Sequence, residues 1–492
     1  MGGFWIKQPK AGSTRETGPI ERNKSIAAVL ATAACNATLP MDSMRSPIIA
    51  LIFVFAVVAR AAAPAPDAIV LVAGDLHSAY DRTAQFLARV DQIRADHPGV
   101  PVAVLINGDT FELGNAVAQR SAGAVDYALF TALATRVPTV VNLGNHEPEF
   151  HGVAETIARI QATGALVLGG NVVNPSTRQP YAPASTRLKL GPREAVVVGI
   201  TTDRLSTFRV AVRPALDLAD PVVWAKQHLP VLFRAAPLPI LLTHTGLKVD
   251  RALLPLVPDG TLFAGAHDHL RFVQRAGRTV YFHSGSWTEF ISVARLHVTA
   301  AGPAWDVEPV RLAPDDPADA ALAALIRTTL AQHLTAEDTA VVGRTPRALG
   351  PTDAAHFAVE AARRAAGADF ALVGGTTFGA GLPAGEVSRF ALEACVRFDG
   401  PLFAAEVDGA WLKTLLTRCN QGPDTPWADR AGENLVAAAP ADPVPGRRYR
   451  FVTTDWVAKN AKTYLGEDAP ALTEVPALKL KAALIRALNS PR

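Results

Sequence analysis

The first half of the chain alternates short apolar segments with amphipathic ones. Residues 68–72 read Ala-Ile-Val-Leu-Val and residues 102–106 read Val-Ala-Val-Leu-Ile, without a single polar side chain. Such runs are typical of strands that are buried on both faces of a parallel sheet. Residues 83–95 lie between them and place four apolar side chains on one helical face: Phe86, Leu87, Val90 and Ile93. Alternation of this kind predicts βαβ units.

The strand pattern continues and becomes richer in β-structure toward residue 300. Five further stretches have the composition of strands: 140–143, 195–200, 240–242, 279–282 and 291–298. Two helices are expected at 124–135 and 153–162, since each ends at a Pro- or Gly-containing turn. We therefore expect residues 67–312 to form an α/β domain with a mixed two-sheet β-sandwich flanked by helices.

A turn-rich stretch, Ala313-Pro314-Asp315-Asp316-Pro317, interrupts the pattern and precedes a helix at 318–333. We assign residues 313–335 as a linker helix. At 492 residues the chain is long enough for a second domain. Residues 336–492 are expected to form a smaller α/β domain that has no histidine cluster of its own.

The N-terminus has the pattern of an export signal. Residues 1–40 show no periodicity, and a short charged segment near Met41 precedes an apolar run from Ile48 to Ala59. An A-x-A-like site follows at 59–61, as in cleaved signal peptides. The run is shorter than the roughly 20 residues of a spanning helix. We expect residues 1–63 to hold a mis-called start and a signal peptide at about 41–61, and the mature protein to be periplasmic or secreted without a stable membrane span. An uncleaved anchor is the alternative.

Charge and cysteine content exclude some partners and leave one question open. The net charge is +3, and we find no basic tract or stripe, so no nucleic-acid surface is expected. Cys395 and Cys419 would be the cysteines of the exported protein. They either pair or remain two unpaired thiols, and the sequence favours neither.

Histidine and aspartate side chains follow several of the apolar runs. They lie in short motifs, most of which directly follow predicted strands: Asp75-x-His77, Gly108-Asp109, Gly144-Asn145, His244 and His267-x-His269. Ligands bind outside the carboxyl ends of strands in open α/β sheets, so these groups should meet there. Carboxylate, amide and imidazole groups without thiolates suit zinc, manganese or iron. We expect two divalent metal ions, with Asp109 as a bridging carboxylate.

His146 follows Asn145 directly and is expected to point toward a substrate. Imidazole is a good proton donor to a leaving oxygen near neutral pH. Glu149 is placed to hold the far ring nitrogen. We therefore expect His146 to act as the catalytic acid, with Glu149 as its partner.

The ordered motifs resemble those of the calcineurin-like metallophosphoesterases over about residues 68–290. The resemblance implies that Asp75, His77, Asp109 and His269 hold one ion. It implies that Asp109, Asn145, His244 and His267 hold the other, and that His146 is the catalytic acid. It also implies a small-molecule phosphate ester as substrate.

The second half resembles the C-terminal, substrate-binding domain of the exported 5′-nucleotidase branch, for example at Leu382-Pro383-Ala384-Gly385. Phe398 and Trp456 match the two aromatic positions that clamp a nucleobase in that branch; the alternative is that both are core aromatics. Two departures affect specificity. Gly379 stands where the branch has an arginine, and Arg397-Phe398-Asp399-Gly400 replaces its Pro-Phe-Gly-Asn.

We therefore expect an exported, dinuclear, metal-dependent phosphohydrolase acting on phosphate monoesters, nucleotide-like by resemblance. The altered C-terminal loop keeps open a phosphodiester, nucleotide-sugar pyrophosphate or sulfur-ester hydrolase using the same site. A non-catalytic periplasmic binding protein is a further alternative, against which the intact set of ligands argues. The oligomeric state is left open.

Overall fold

The strands of the N-terminal region (residues 64–312) follow the apolar runs of the sequence. The computed structural model describes residues 64–490, so the expected signal peptide lies outside the described residues. The first strands are β1 (Ala68–Ala73), β2 (Val102–Asn107), β3 (Thr139–Asn142), β4 (Leu166–Leu168), β5 (Val172–Val173), β6 (Ser185–Leu190) and β7 (Arg193–Thr201). The others are β8 (Asp217–Leu218), β9 (Leu238–His244), β10 (Leu262–Gly265), β11 (Arg271–Ala276), β12 (Thr279–Ser284), β13 (Phe290–Thr299) and β14 (Gly302–Arg311).

This region contains the two-stranded β5–β8 pair and two six-stranded sheets. Their strand orders are β14-β13-β1-β2-β3-β4 and β11-β12-β10-β9-β7-β6. In the first, β1 to β4 are parallel. In the second, β7, β9, β10 and β12 are parallel. The remaining strands pair antiparallel at the edges. Both sheets are therefore mixed, as expected.

Helices cover the outer faces of the sheets. They are α1 (Thr83–Asp96), α2 (Ala116–Arg120), α3 (Ala124–Ala134), α4 (Val153–Ala162), α5 (Pro221–Leu232) and α6 (Leu247–Leu253). Alternate residues of β1 serve different cores: Val70 and Val72 pack between the sheets, whereas Ile69 and Leu71 pack under the helices. This alternation follows from the period of two of a strand, and it confirms the predicted sandwich.

The expected linker helix, α7 (Ala320–His333), lies against the N-terminal region. Its Leu322 and Ile326 join the core under α1 and α3. Asp319 caps the helix at Leu322 N and pairs with Arg136 at 2.9 Å. The segment is thus a docked helix that begins two residues later than predicted.

The C-terminal region (residues 334–490) is a smaller α/β unit. Its strands are β15 (Val341–Thr345), β16 (Phe370–Gly374), β17 (Gly385–Ser388), β18 (Pro401–Asp408), β19 (Leu435–Ala438), β20 (Arg448–Thr454) and β21 (Thr473–Lys479). Its helices are α8 (Ala336–Thr339), α9 (Pro351–Ala365), α10 (Arg389–Cys395), α11 (Gly409–Leu416), α12 (Asp455–Lys459), α13 (Ala461–Leu465) and α14 (Leu480–Leu488). Five strands form one mixed sheet in the order β19-β16-β20-β18-β21. The exact boundary at residue 336 stays a prediction.

The structure also bears on the two cysteines and on a possible membrane span. Cys395 and Cys419 are free thiols, the first buried and the second partly buried. Within residues 64–490, none of the helices is both long and apolar enough to span a bilayer.

Candidate metal centre

The parallel strands bring the candidate ligands to one edge of the sandwich. Asp75 and His77 follow β1, Asp109 follows β2, and Asn145 follows β3. His244 ends β9 of the second sheet, and His267 and His269 follow β10. Because β1 to β3 and β9 to β10 are each parallel, their carboxyl ends meet at the same place.

Several of these residues have left-handed backbone conformations. The φ angles are 52° at Asp75, 50° at His77, 54° at Asp109, 85° at His267 and 57° at His269. Residues other than glycine adopt this region at an energetic cost, and such strain concentrates at functional sites. The positive φ angles thus mark the turns that carry five of the candidate ligands as strained backbone.

One group of ligand atoms surrounds Asp75, His77 and His269. The two imidazole Nε2 atoms lie 2.9 Å apart. Asp75 Oδ1 is 3.9 Å from Nε2 of His77 and 3.8 Å from Nε2 of His269. Three lone-pair-bearing atoms therefore face one point.

A second group consists of Asp109, His244 and His267. His244 Nε2 is 3.0 Å from Asp109 Oδ2 and 3.8 Å from Asp75 Oδ1. His244 Nδ1 meets the backbone oxygen of Asn107 at 2.8 Å, which directs Nε2 toward the carboxylates. His244 belongs to the second group and also approaches Asp75 of the first. The two groups therefore lie side by side.

Burial prepares these side chains to bind a cation. It lowers the pKa of His77 and His267 well below the usual range and that of His269 to about 3, so their imidazoles are neutral. Burial also raises the pKa of Asp75 to about 8, although nearby His244 opposes the rise. A buried carboxylate facing neutral imidazoles is stabilised when a cation binds between them.

Asn145 supplies an independent test of fit. Its Oδ1 is buried and has no hydrogen-bond partner among the described residues. Its Nδ2 approaches Thr207 O at 3.4 Å, which turns Oδ1 away from that carbonyl. A buried amide oxygen without a partner, together with the imidazoles and carboxylates of the two groups, makes up a ligand set that zinc, manganese or iron takes. The residues present therefore fit divalent cations.

Glu147 and two glycines shape the turns that carry these ligands. Glu147 accepts hydrogen bonds from the backbone N–H groups of Asp109, Thr110 and Gly144 at 2.6–2.9 Å. A Cβ at Gly144 would lie 2.3 Å from Asp109 Oδ1, and one at Gly108 would lie 2.4 Å from His244 Nδ1. Glycine is therefore required where the two strand ends approach each other.

His146 lies at the rim of the centre, with Glu149 behind it. His146 Nδ1 is 2.8 Å from Glu149 Oε1, and its backbone N–H donates to Asp109 Oδ1 at 2.7 Å. Its ring meets that of His77 edge-on, with centroids 5.1 Å apart. Burial disfavours the imidazolium, but Asp109 and Glu149 outweigh it and raise the pKa of His146 to about 9. His146 is thus held protonated beside the ligands.

Three residues of the site were missed by the sequence analysis. Glu112 lies 3.1 Å from His77 Nδ1, Trp287 stacks on the His77 ring at 5.0 Å, and Arg397 forms an ion pair with Glu112. Glu112 follows the Gly108-Asp109 motif at short spacing, and Trp287 ends the segment Gly285-Ser286-Trp287, which also resembles the 5′-nucleotidase branch. These were the available signals. Arg397 gave none beyond its departure from the family pattern.

A cavity of about 560 Å³ opens beside the centre, between the N-terminal and C-terminal regions. Its wall includes His269 and Trp287 from the first region and Phe378, Gly379 and Asn434 from the second. His269 is the candidate ligand that lines this cavity, so a small molecule in it would meet the cluster on the side of His269.

Phe398 and Trp456 lie outside the wall of this cavity. Their side chains are 53% and 36% exposed, so neither is a core aromatic. A Cβ at Gly400 would lie 2.0 Å from Asp455 Oδ1, so the segments that carry the two rings are neighbours. The rings make no contact with each other among the described residues. The arrangement leaves two accessible aromatic faces on the C-terminal region.

The chain is similar to known proteins in sequence and in fold. Residues 69–271 match the family model of the calcineurin-like phosphoesterases, and residues 331–446 match that of the 5′-nucleotidase C-terminal domain. No curated protein sequence matches the chain significantly.

Among solved structures, the 5′-nucleotidase precursor of Thermus thermophilus is 17% identical with a TM-score of 0.56, over 86% of this chain and 96% of its own. The 5′-nucleotidase of Candida albicans is 12% identical with a TM-score of 0.57, over 87% and 99%. The sulfate thiohydrolase SoxB of Thermus thermophilus is 16% identical with a TM-score of 0.59, over 87% and 94%. At these identities the likeness establishes a shared two-domain fold.

Proposed function

Because the chain belongs to the two-domain, 5′-nucleotidase-like branch of the calcineurin-like metallophosphoesterases, we propose that it is an exported dinuclear enzyme that hydrolyses phosphate monoesters of the nucleotide type. The family assignment makes it a metal-dependent phosphoesterase. The number of ions, the ester class and the export are our proposals.

The observation that carries the proposal is the pair of ligand groups joined at His244. Asp75, His77 and His269 form one group, and Asp109, His244 and His267 form the other. Asp75 Oδ1 and Asp109 Oδ2 both approach His244 Nε2, at 3.8 and 3.0 Å. Asn145 Oδ1, buried and unpartnered among the described residues, adds a ligand at this centre. Such a set suits two adjacent cations.

Two bound divalent cations would supply Lewis-acid stabilisation of the charge on the phosphoryl oxygens. The protein's own contribution is the placement of a proton. Since Glu149 holds His146 Nδ1, the proton available for transfer is on Nε2. His146 would give this proton to the leaving-group oxygen of the ester.

Substrate selection is assigned to the C-terminal region. The cavity beside His269 has room for a small leaving group, and Trp287 and Phe378 give it an apolar wall. The exposed rings of Phe398 and Trp456 offer stacking surfaces for a nucleobase. For this reason a nucleoside monophosphate is the favoured substrate.

The direct test is phosphate release by the exported chain after reconstitution with manganese, zinc or iron. We expect metal-dependent hydrolysis of adenosine monophosphate, two ions per chain by elemental analysis, and loss of activity in His146→Ala. His228→Ala is the matched control, because His228 stacks on Trp224 outside the centre. A protein with two ions that releases no phosphate from any monoester would contradict the proposal.

A second candidate function is hydrolysis of a phosphodiester, a nucleotide-sugar pyrophosphate or a sulfur ester at the same centre. The observation that favours it is Gly379, which lines the cavity at the position where the 5′-nucleotidase branch has an arginine, so the charge of that arginine is absent here. A substrate panel separates the two functions, since nucleoside monophosphates would then be the poorest substrates.

A further inference from the structure

A buried ion pair joins the C-terminal region to the candidate metal centre. The guanidinium of Arg397 pairs with the carboxylate of Glu112. The two side chains are 2% and 4% exposed, so substrate cannot reach them. An ion pair buried this deeply costs desolvation of both charges, and removing one partner leaves an uncompensated charge.

Glu112 links this pair to a candidate metal ligand. Its Oε2 lies 3.1 Å from His77 Nδ1, and its Oε1 accepts a hydrogen bond from Gly114 N at 2.7 Å. With Nδ1–H donating to Glu112, the lone pair of His77 is on Nε2, which faces Asp75 and His269. A carboxylate that holds the far nitrogen of a ligating histidine fixes its tautomer and ring orientation.

Trp287, which belongs to the N-terminal region, links the C-terminal region to the same imidazole by a second route. Its ring stacks on His77 with centroids 5.0 Å apart, and the Arg397 guanidinium lies 4.5 Å from the Trp287 ring centroid. On the far side, a Cβ at Gly379 would lie 2.7 Å from the Trp287 ring. His77 is therefore held by Glu112 and Trp287, and both are held by Arg397.

We propose that Arg397 and Glu112 are positioning residues through which docking of the C-terminal region orients His77 for metal binding. This inference rests on the proposed metal centre. The ion at the Asp75, His77 and His269 group is then retained tightly only while Arg397 occupies its site. The contact makes the C-terminal region a part of the metal centre as well as of the substrate site.

Arg397→Met tests the proposal, because methionine keeps an unbranched apolar side chain and removes the charge. Metal affinity of the whole chain is measured by competition with a chelator, with manganese and zinc as probes. We expect one of the two ions to bind about 10–100-fold more weakly and the other to be unchanged, as for other partners of ligating histidines. Arg397→Lys should recover part of the loss.

Arg251→Met is the matched control for a loosened interface. Arg251 also crosses between the regions, with its guanidinium 4.4 Å from the Trp427 ring and a hydrogen bond to Arg430 O at 3.0 Å. It touches no candidate ligand among the described residues. We expect this variant to bind both ions as the unaltered protein does. Equal weakening by both variants, or no weakening in Arg397→Met, would overturn the proposal.

Glu112→Gln and the double variant Glu112→Gln/Arg397→Met complete a double-mutant cycle on metal affinity. The proposal can then be tested even if one of the single variants folds poorly. Since both residues act through His77, the double variant should lose no more affinity than the worse single variant. If the two losses of metal affinity multiply in the double variant, Arg397 and Glu112 do not act through the same contact with His77. The proposed function fails separately, through absent phosphate release or through an unaltered protein that binds fewer than two ions.

Discussion

His146 Nδ1 lies 2.8 Å from Glu149 Oε1, so the carboxylate fixes which nitrogen of the imidazole can serve the substrate. Because Nδ1 is engaged, Nε2 carries the transferable proton. Glu149 and Asp109 together keep the ring protonated, with a pKa raised to about 9 against the effect of burial. This geometry supports the proposed role of His146 as a proton donor, and a substitution of His146 can test that role without removing a candidate metal ligand.

The first prediction uses the leaving group to isolate that role. His146→Ala should slow hydrolysis of glycerol phosphate by about 10²–10⁴-fold, because an alkoxide leaving group needs the proton. Hydrolysis of p-nitrophenyl phosphate should fall much less, since that leaving group departs unprotonated. Glu149→Gln should show the same pattern more weakly. Steady-state rates on both esters provide the measurement, and equal losses on the two would assign His146 to binding instead.

The second prediction concerns the number of ions. His267→Ala should reduce the metal content from two ions per chain to one, because it removes a ligand from the group around Asp109 and leaves the Asp75 group intact. Glu149→Gln, which touches His146 alone among the candidate site residues, should retain both ions and is the control. Elemental analysis after gel filtration measures the content. Retention of two ions by His267→Ala would exclude His267 from the ligands.

The third prediction concerns the exposed aromatic rings. Phe398→Ala and Trp456→Ala should raise KM for adenosine monophosphate and leave KM for glycerol phosphate unchanged, because the second ester has no base to stack. Stacking contributes about 1–3 kcal/mol per base, which corresponds to roughly 5–150-fold in KM. Val444→Ala is a control of similar exposure, at 55% against 53% for Phe398. A rise in KM for both adenosine monophosphate and glycerol phosphate would show that the two rings do not bind substrate by stacking on its base.

The fourth prediction concerns Gly379, which stands where the 5′-nucleotidase branch that the sequence resembles has an arginine. A Cβ there would lie 2.4 Å from Ala394 O and 2.7 Å from the Trp287 ring. Gly379→Arg should therefore lower the melting temperature by several degrees and should not raise activity on nucleotides, because Trp287 occupies the space. Gly422→Ala, with nothing within 4 Å of its Cβ, is the control for a glycine substitution. A stable Gly379→Arg variant with faster nucleotide hydrolysis would refute this account.

Most of the candidate ligands could be predicted from the sequence because they follow strands that the apolar pattern marks. The strand β10, which precedes His267 and His269, was not among the predicted strands. Parallel strands place their carboxyl ends together, so Asp75, Asp109 and His244 converge without further information. Arg397 could not be predicted, since its contact with Glu112 depends on how the C-terminal region docks. Trp287 was visible in a motif, but its stacking on His77 depends on a left-handed turn with φ of 59°. Local pattern determines the strand ends, whereas contacts between regions depend on tertiary packing.

Stability should depend on pH through Asp126, a buried carboxyl that belongs to neither of the two candidate ligand groups. It accepts hydrogen bonds from Tyr80 at 2.8 Å and Ser78 at 3.2 Å, yet burial raises its pKa to about 7. The folded state therefore favours the neutral acid. Its contribution to the free energy of unfolding is fully present below the unfolded-state pKa of about 4 and is lost as the pH rises toward 7.

Asp126→Asn removes that titration and keeps an oxygen for Tyr80 and Ser78. The variant should gain stability relative to the unaltered protein between pH 5 and pH 8, by at least about 1 kcal/mol, since each unit of pKa shift corresponds to about 1.4 kcal/mol. Urea unfolding at both pH values, in the presence of chelator, measures the difference without a contribution from metal binding. Asp91→Asn is the control, because Asp91 is a half-exposed partner of Arg94 and Arg136. A difference that is constant across this range would show that Asp126 is ionised in the folded protein at pH 5, and that Tyr80 and Ser78 outweigh its burial.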